Sequence, residues 1–419
     1  MPRAILLITC LLSLQPAVAQ DNWPEYRGPN SNGISAASGL PLTFSETANV
    51  KWKTPIHGRG WSTPVIWGNQ IWMTTATADG LKMYVVCVDK PSGKVLLDNL
   101  LFSNSEVDPI NDVNSYASPS PVIEDGRVYV HFGSYGTACL DTKTFTVKWT
   151  RSDLVVRHSV GPGSSPVLFE NLLILTMDGT DSQFTTALEK QTGADVWTTK
   201  RRFDRQPSSS DFENGHNERR KSFNTPIFVN VNGHVEMISP GAQAVFGYDP
   251  RTGKELWRAG HNGYSNSFRT LVADGVAYVD SGYDKADLFA VKLGGTGDVS
   301  STHVLWKTNR NIPFKPSGIL LDGLIYIVND GGILSCLDAK TGEPVWQERI
   351  GGHYSASPIA AEGRLYFFSE EGQITVIKPG RKLEILAQNQ LNDGFMASPA
   401  ISGKALFLRT KTHLYRVEK

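Results

Sequence analysis

The chain has little cysteine, with four in 419 residues, at positions 10, 87, 139 and 336. A disulfide-stapled framework is therefore excluded. It has no excess of either charge, since 41 Lys and Arg face 41 Asp and Glu. The basic footprint of a general nucleic-acid binder is absent. Disorder is excluded by 40% hydrophobic and 10% aromatic residues, enough for a sizeable core. Beyond the N-terminal segment, no apolar run reaches the length of a membrane span. Neither His-x-x-x-His nor Cys-x-x-Cys occurs, so no metal site is expected. A Gly-x-Ser-x-Gly elbow and a phosphate-binding loop are missing as well, which leaves the catalytic residues, if any, unknown.

Turn-forming residues are plentiful, with 39 Gly and 23 Pro. They punctuate many short apolar runs, a pattern that favours strands over helices. Residues 1–19 read as an export signal. Arg3 gives the positive start, Ala4 to Leu14 the apolar run, and Ala17-Val18-Ala19 the small-residue cleavage site, so a mature chain would begin at Gln20 or Asp21. Cys10 lies in this segment behind Leu7-Ile8-Thr9. Thr9 suits a lipid-attachment box poorly, so a soluble periplasmic or secreted product is expected. Residues 20–49 form a leader and 50–419 one repeating domain.

The repeat starts with a small or polar residue, often followed by Pro. An apolar run, an Asp-Gly or Asn-Gly pair and a second apolar run come next. Its clearest copy begins at Ser317. Ile319 to Leu321, Leu324 to Val328, Ile333 to Leu337 and Pro344 to Arg349 read as four strands, with Asp322-Gly323 as a tight hairpin turn. Copies begin near Thr63, Ser120, Ser165, Thr225, Thr270, Ser317, Ser357 and Ser398. The turn before the fourth strand reads Asp89-x-x-Ser92-Gly93, Glu189-x-x-Thr192-Gly193, Asp249-x-x-Thr252-Gly253 and Asp338-x-x-Thr341-Gly342. One copy, at Asp141, carries Phe145 in place of Gly. Trp149, Trp197, Trp257, Trp306 and Trp346 follow on fourth strands.

The last copy stops at its third strand, Leu414 to Val417, while Val50-Lys51-Trp52-Lys53 looks like an orphan fourth strand. The reading is all-β: an eight-bladed β-propeller of four-stranded antiparallel blades, the N-terminal strand closing the last blade. Cys87, Cys139 and Cys336 hold equivalent third-strand positions, with Ala187 and Ala290 in the same slot elsewhere. That points to packing rather than chemistry.

The Asp-x-x-Thr-Gly-x-x-x-Trp turns and Ser-Pro starts resemble the pyrroloquinoline-quinone (PQQ) repeat of quinoprotein alcohol dehydrogenases and the assembly lipoprotein BamB. The leader Asn22-Trp23-Pro24-Glu25-Tyr26-Arg27-Gly28-Pro29-Asn30 resembles the opening of secreted PQQ-like propellers. For an enzyme, the resemblance implies PQQ with Ca²⁺, a vicinal cysteine pair, a Glu and Asn calcium site and an Asp base. No two cysteines are adjacent here.

In a propeller, the loops entering the inner strands open on one face around the axis. Here they carry His57, Arg59, Trp61, Tyr116, Arg157, His158, Lys315, His353 and Tyr354, and Arg269 begins an inner strand. This basic and aromatic set is the expected ligand-binding face, suited to an anionic small molecule, a glycan or an envelope protein. Arg27 is expected to anchor the leader rather than to reach this face. The segment Arg201 to Ser222 reads as a solvated, mixed-charge insertion. A monomeric binding or scaffold module is the first reading, and a small PQQ-dependent sugar or alcohol dehydrogenase the alternative.

Overall fold

The computed structural model describes residues 22–201, 218–283 and 286–419, so the expected signal segment lies outside the described residues. Eight antiparallel sheets follow one another around a ring, and the copies marked in the sequence are the blades. In blade 6 the strands are Ile319–Leu321, Leu324–Val328, Ile333–Asp338 and Pro344–Arg349. Asp322 and Gly323 have φ of 51° and 73°, the two positive values that a tight hairpin turn requires.

The last blade holds Ala400–Ser402, Ala405–Arg409 and His413–Val417, and its outer strand is the N-terminal Val50–Pro55. Val50 pairs with Val417 and Pro55 with His413, so the ring is closed by joining the two ends of the domain. Closure removes the sheet edges that an open array would expose at its ends. Blade 4 gains a fifth strand, Gly297–Asp298, lying parallel to its outer strand Glu255–Gly260. This strand comes from an enlarged outer turn in blade 5.

Burial follows position in the blade. Every residue of Leu324–Val328 is buried, because neighbouring blades cover both faces of the middle strands. Outer strands alternate, as in Val50–Pro55.

Successive blades are locked by the outer-strand tryptophans. The indole N–H of Trp52, Trp149, Trp197 and Trp306 donates to the carbonyls of Lys90, Lys190, Pro250 and Ala339, each at 3.1 Å in the next blade's outer turn. The same rings press on the turn glycine. A Cβ at Gly93 would fall 2.6 Å from Trp52, and one at Gly342 would fall 2.5 Å from Trp306, so glycine is required there on space as well as on φ.

Phe145, the copy without glycine, faces a blade whose outer strand has Leu97 instead of Trp. The turn carbonyl of Thr142 there accepts a bond from the side chain of Gln70 at 2.8 Å. Trp72 donates to Gln70 Oε1 at 3.1 Å and its ring lies 5.7 Å from Phe145. Gln70 and Trp72 thus divide the work that one tryptophan does elsewhere.

Cys87, Cys139 and Cys336 are buried free thiols in three different blades. Cys139 pairs across the sheet with Trp149 and Cys336 with Trp346. Burial pushes the Cys139 and Cys336 thiols up to about 12 and about 11. They are inert packing groups.

Candidate functional site

At the axis the small residues that start the inner strands form a ring of hydrogen bonds. The backbone N–H groups of Thr63, Ser120 and Ser165 donate to the hydroxyls of Ser120, Ser165 and Thr225, each at 2.9 Å. Those of Arg269 and Ser317 donate at 2.9 Å to Ser317 and Ser357, and that of Ser357 donates at 3.0 Å to Ser398. This is the physical reason for a Ser or Thr at the start of nearly every copy, since a short hydroxyl satisfies the neighbour's buried amide. In blade 5 the ring position is Arg269, one residue before the start read from the sequence.

Arg269 is buried and turns its guanidinium toward the leader. It donates to the carbonyls of Tyr26 and Pro226 and to the Glu25 carboxylate, the last two at 3.1 and 3.2 Å. The leader then runs across one end of the axis. Trp23 exchanges two backbone bonds with Ile66 in blade 1, and the Pro24 carbonyl accepts from Ile123 in blade 2. The Tyr26 hydroxyl hydrogen-bonds the ring hydroxyls of Ser317 at 3.1 Å and Ser357 at 3.0 Å. Arg27, also buried, donates to the carbonyls of Gly318 at 2.6 Å and Pro358. It anchors the leader, as the sequence reading expected.

With one end plugged, the axis opens on the other face as a blind funnel of about 540 Å³. This is within the roughly 300–1,000 Å³ of small-ligand pockets. Tyr26 and the hydroxyls of Thr63, Ser120, Ser165, Thr225 and Ser398 lie at its base. Trp61, Phe223, Tyr264, Tyr283 and Phe314 supply aromatic wall, and Asn111, Asn114 and Ser118 add amides and a hydroxyl.

The ten residues expected on this face separate into groups. Trp61 and Lys315 line the funnel. Arg59 stands over the Trp61 ring at 5.4 Å and donates to the Asp112 carbonyl. His57 is exposed and pairs with Asp98 on an outer strand at 2.9 Å, and exposed His353 pairs with Glu371 at 2.7 Å. Tyr116 and Tyr354 are buried, Tyr116 donating to the Asp108 carbonyl at 2.8 Å. Arg157 is exposed at the rim, where its backbone N–H donates to Asp181 at 2.7 Å. Arg269 belongs to the plug.

His158 is buried, as is Lys221 from the end of the insertion. At the insertion's other end, buried Arg201 pairs with Asp178 at 2.8 Å. The insertion is therefore pinned at both ends rather than solvated there; residues 202–217 lie outside the described residues.

The described lining of the funnel does not carry the positive charge expected of this face. The second-to-third-strand loops open on the same face and bring carboxylates with them. Lys315 Nζ lies 3.5 Å from Asp330 and 3.1 Å from Glu370. Among the described lining residues, Lys315 and Asp330 are the charged ones, so the funnel wall is neutral. Tyr26 and Tyr283 are lining residues that the sequence reading missed. Tyr283 sits in a second-to-third-strand loop and Tyr26 in the leader, two segments it did not bring to the funnel.

Next to the funnel, the Ser134 backbone N–H donates to His158 Nε2 at 3.0 Å. That nitrogen is an acceptor, so the ring proton sits on Nδ1, which faces Lys221 Nζ at 2.7 Å. In this arrangement Lys221 Nζ accepts as the neutral amine, the form it takes above about 7. Burial lowers it to about 7, and burial holds His158 well below the usual histidine range.

A family model described as outer membrane protein assembly factor BamB, of the PQQ-repeat class, matches residues 44–239 and 241–383. No curated protein matches the sequence. The crystal structure of BamB from Moraxella catarrhalis has a TM-score of 0.59 and 10% identity, over 88% of this chain and 99% of that one. A europium-containing methanol dehydrogenase gives 0.64 and 12%, over 93% and 89%. The quinohemoprotein alcohol dehydrogenase from Comamonas testosteroni also gives 0.64 and 12%, over 96% and 81%. At these identities the likeness is one of fold.

The residues present do not fit Ca²⁺-bound PQQ. The calcium site that the resemblance implies needs a Glu beside an Asn, and the described lining of the funnel holds no Glu. The three cysteines sit in separate blades. A tricarboxylate entering the funnel would meet Lys315 already held by two carboxylates.

Proposed function

The chain belongs to the PQQ-repeat propeller family described as BamB, and from that premise we propose that it is an exported binding or scaffold module without catalytic chemistry of its own. The observation that carries the reading is the blind funnel, aromatic and hydroxyl-lined, whose charged lining groups are already paired. It offers contact surface and hydrogen bonds, and no group of three His, Cys, Asp or Glu that could hold a metal is found among the described residues. Export rests on the signal read at 1–19; among the described residues, no helix is long and apolar enough to cross a membrane.

The test is a thermal-shift panel of neutral saccharides, organic acids, short peptides and PQQ with Ca²⁺. It is run on the wild type and on Met396→Trp, which fills the funnel from a half-buried position. One class should stabilise the wild type and not the variant, with no dye reduction by any member. No shift from any class, or turnover with PQQ, would reject the proposal. Mass spectrometry of the exported protein should find an N-terminus at Gln20 or Asp21.

A further inference from the structure

Resting on the reading of the funnel as a binding site, we infer that its ligand is the free end of a neutral glycan. Two aromatic surfaces lie across the axis from each other. Tyr283 stands 5.9 Å from Tyr264 and 5.4 Å from Phe314, and the three rings form one strip at the junctions of blades 4, 5 and 6. Trp61 lies at the junction of blades 8 and 1, opposite the strip. Tyr283 is 53% exposed although both neighbouring rings touch it, so its free surface is available. Pyranose rings present C–H faces that pack on such surfaces and O–H groups around their edge.

The base of the funnel matches that edge. It is lined by hydroxyls, of which those of Ser120, Ser165, Thr225 and Ser398 already accept an amide bond but still carry an O–H to donate, and the amide of Asn111 stands nearby. Charge selects against an acidic ligand, because Lys315 is engaged by Asp330 and Glu370. A peptide docking as an added strand is disfavoured, since the amides facing the axis donate to the hydroxyl ring and leave no ladder to extend. The leader closes the far end, so a chain enters by a terminus and cannot thread through.

Calorimetric titration with linear maltohexaose, cellohexaose and chitohexaose, cyclic α-cyclodextrin, and anionic hexagalacturonate tests this. At least one linear neutral chain binds, while the cyclic and anionic ones do not. Trp61→Ala and Tyr283→Ala each weaken that binding about three- to tenfold, the loss of one aromatic platform. Tyr283 is exposed, so its variant folds even where Trp61→Ala does not. Equal binding of α-cyclodextrin, preference for hexagalacturonate, or no effect of Tyr283→Ala would overturn the inference. If no saccharide binds but another class in the thermal-shift panel does, the glycan assignment fails and the binding reading stands. If no class binds, both fail.

Discussion

The hydroxyl of Tyr26 lies 3.1 Å from that of Ser317, and this contact joins the leader to the ring of hydroxyls at the axis. Arg27 beside it is buried, and its described bonds go to backbone carbonyls. Arg27→Met leaves those carbonyls without donors and should cost about 2–4 kcal/mol of stability. Tyr26→Phe removes only a hydroxyl and should cost about 0.5–1.5 kcal/mol. Urea denaturation measures both, and an unchanged midpoint for Arg27→Met would show that the leader is not part of the folded core.

Arg269 stands where the ring calls for a hydroxyl. Arg269→Ser restores that hydroxyl but removes every bond from the guanidinium to the leader. The blades should persist while the leader loosens. Limited proteolysis should then cut between Asn22 and Ser35 in the variant faster than in the wild type. Equal cutting would mean that the other leader contacts suffice.

Lys221 provides the pH dependence. It is buried against His158, and its charge state is also felt by Asp178, Asp108 and Asp181. Its value falls to about 7 in the folded protein against roughly 10.4 in an unfolded chain. Between those values the unfolded chain holds one more proton, so this group makes stability rise with pH from about 7 to about 10; below 7 both states are protonated and the slope vanishes. Lys221→Gln keeps an acceptor for the Nδ1–H and removes the titration. Its stability relative to wild type should grow as pH falls from 10 toward 7 and then level off. Urea denaturation across this range reads the difference, and a constant difference would contradict the neutral amine.

The pair Leu97 and Phe145 should behave as one unit. Leu97→Trp alone drives an indole against Phe145, and Phe145→Gly alone removes the ring packed on Trp72. Each should destabilise by about 1–3 kcal/mol, and the double variant by less than their sum. Strict additivity in the double-mutant cycle would refute the compensation.

That pair also marks what the sequence made legible. The blades could be read because the same turn and tryptophan recur, and even the exception at Phe145 was visible as a break in the pattern. Ring closure was legible from an orphan strand at one end and a missing one at the other. The site was less so. Its electrostatics depend on Asp330 and Glu370, which come from loops of a different class than those counted from the sequence. Its closed end depends on Tyr26, paired with residues about three hundred positions away through no local pattern. The buried places of Tyr116, His158, Arg269 and Tyr354 follow from packing between blades, which periodicity within one blade does not encode.

On the proposed function, this propeller binds its ligand in the blind, neutral funnel. Equilibrium titration of wild type and Met396→Trp with the ligand found in the panel decides whether it does. Binding to the wild type that falls at least about tenfold in the filled variant, at unchanged thermal stability, is the predicted result. Equal affinity in both proteins would place the binding elsewhere and contradict the account.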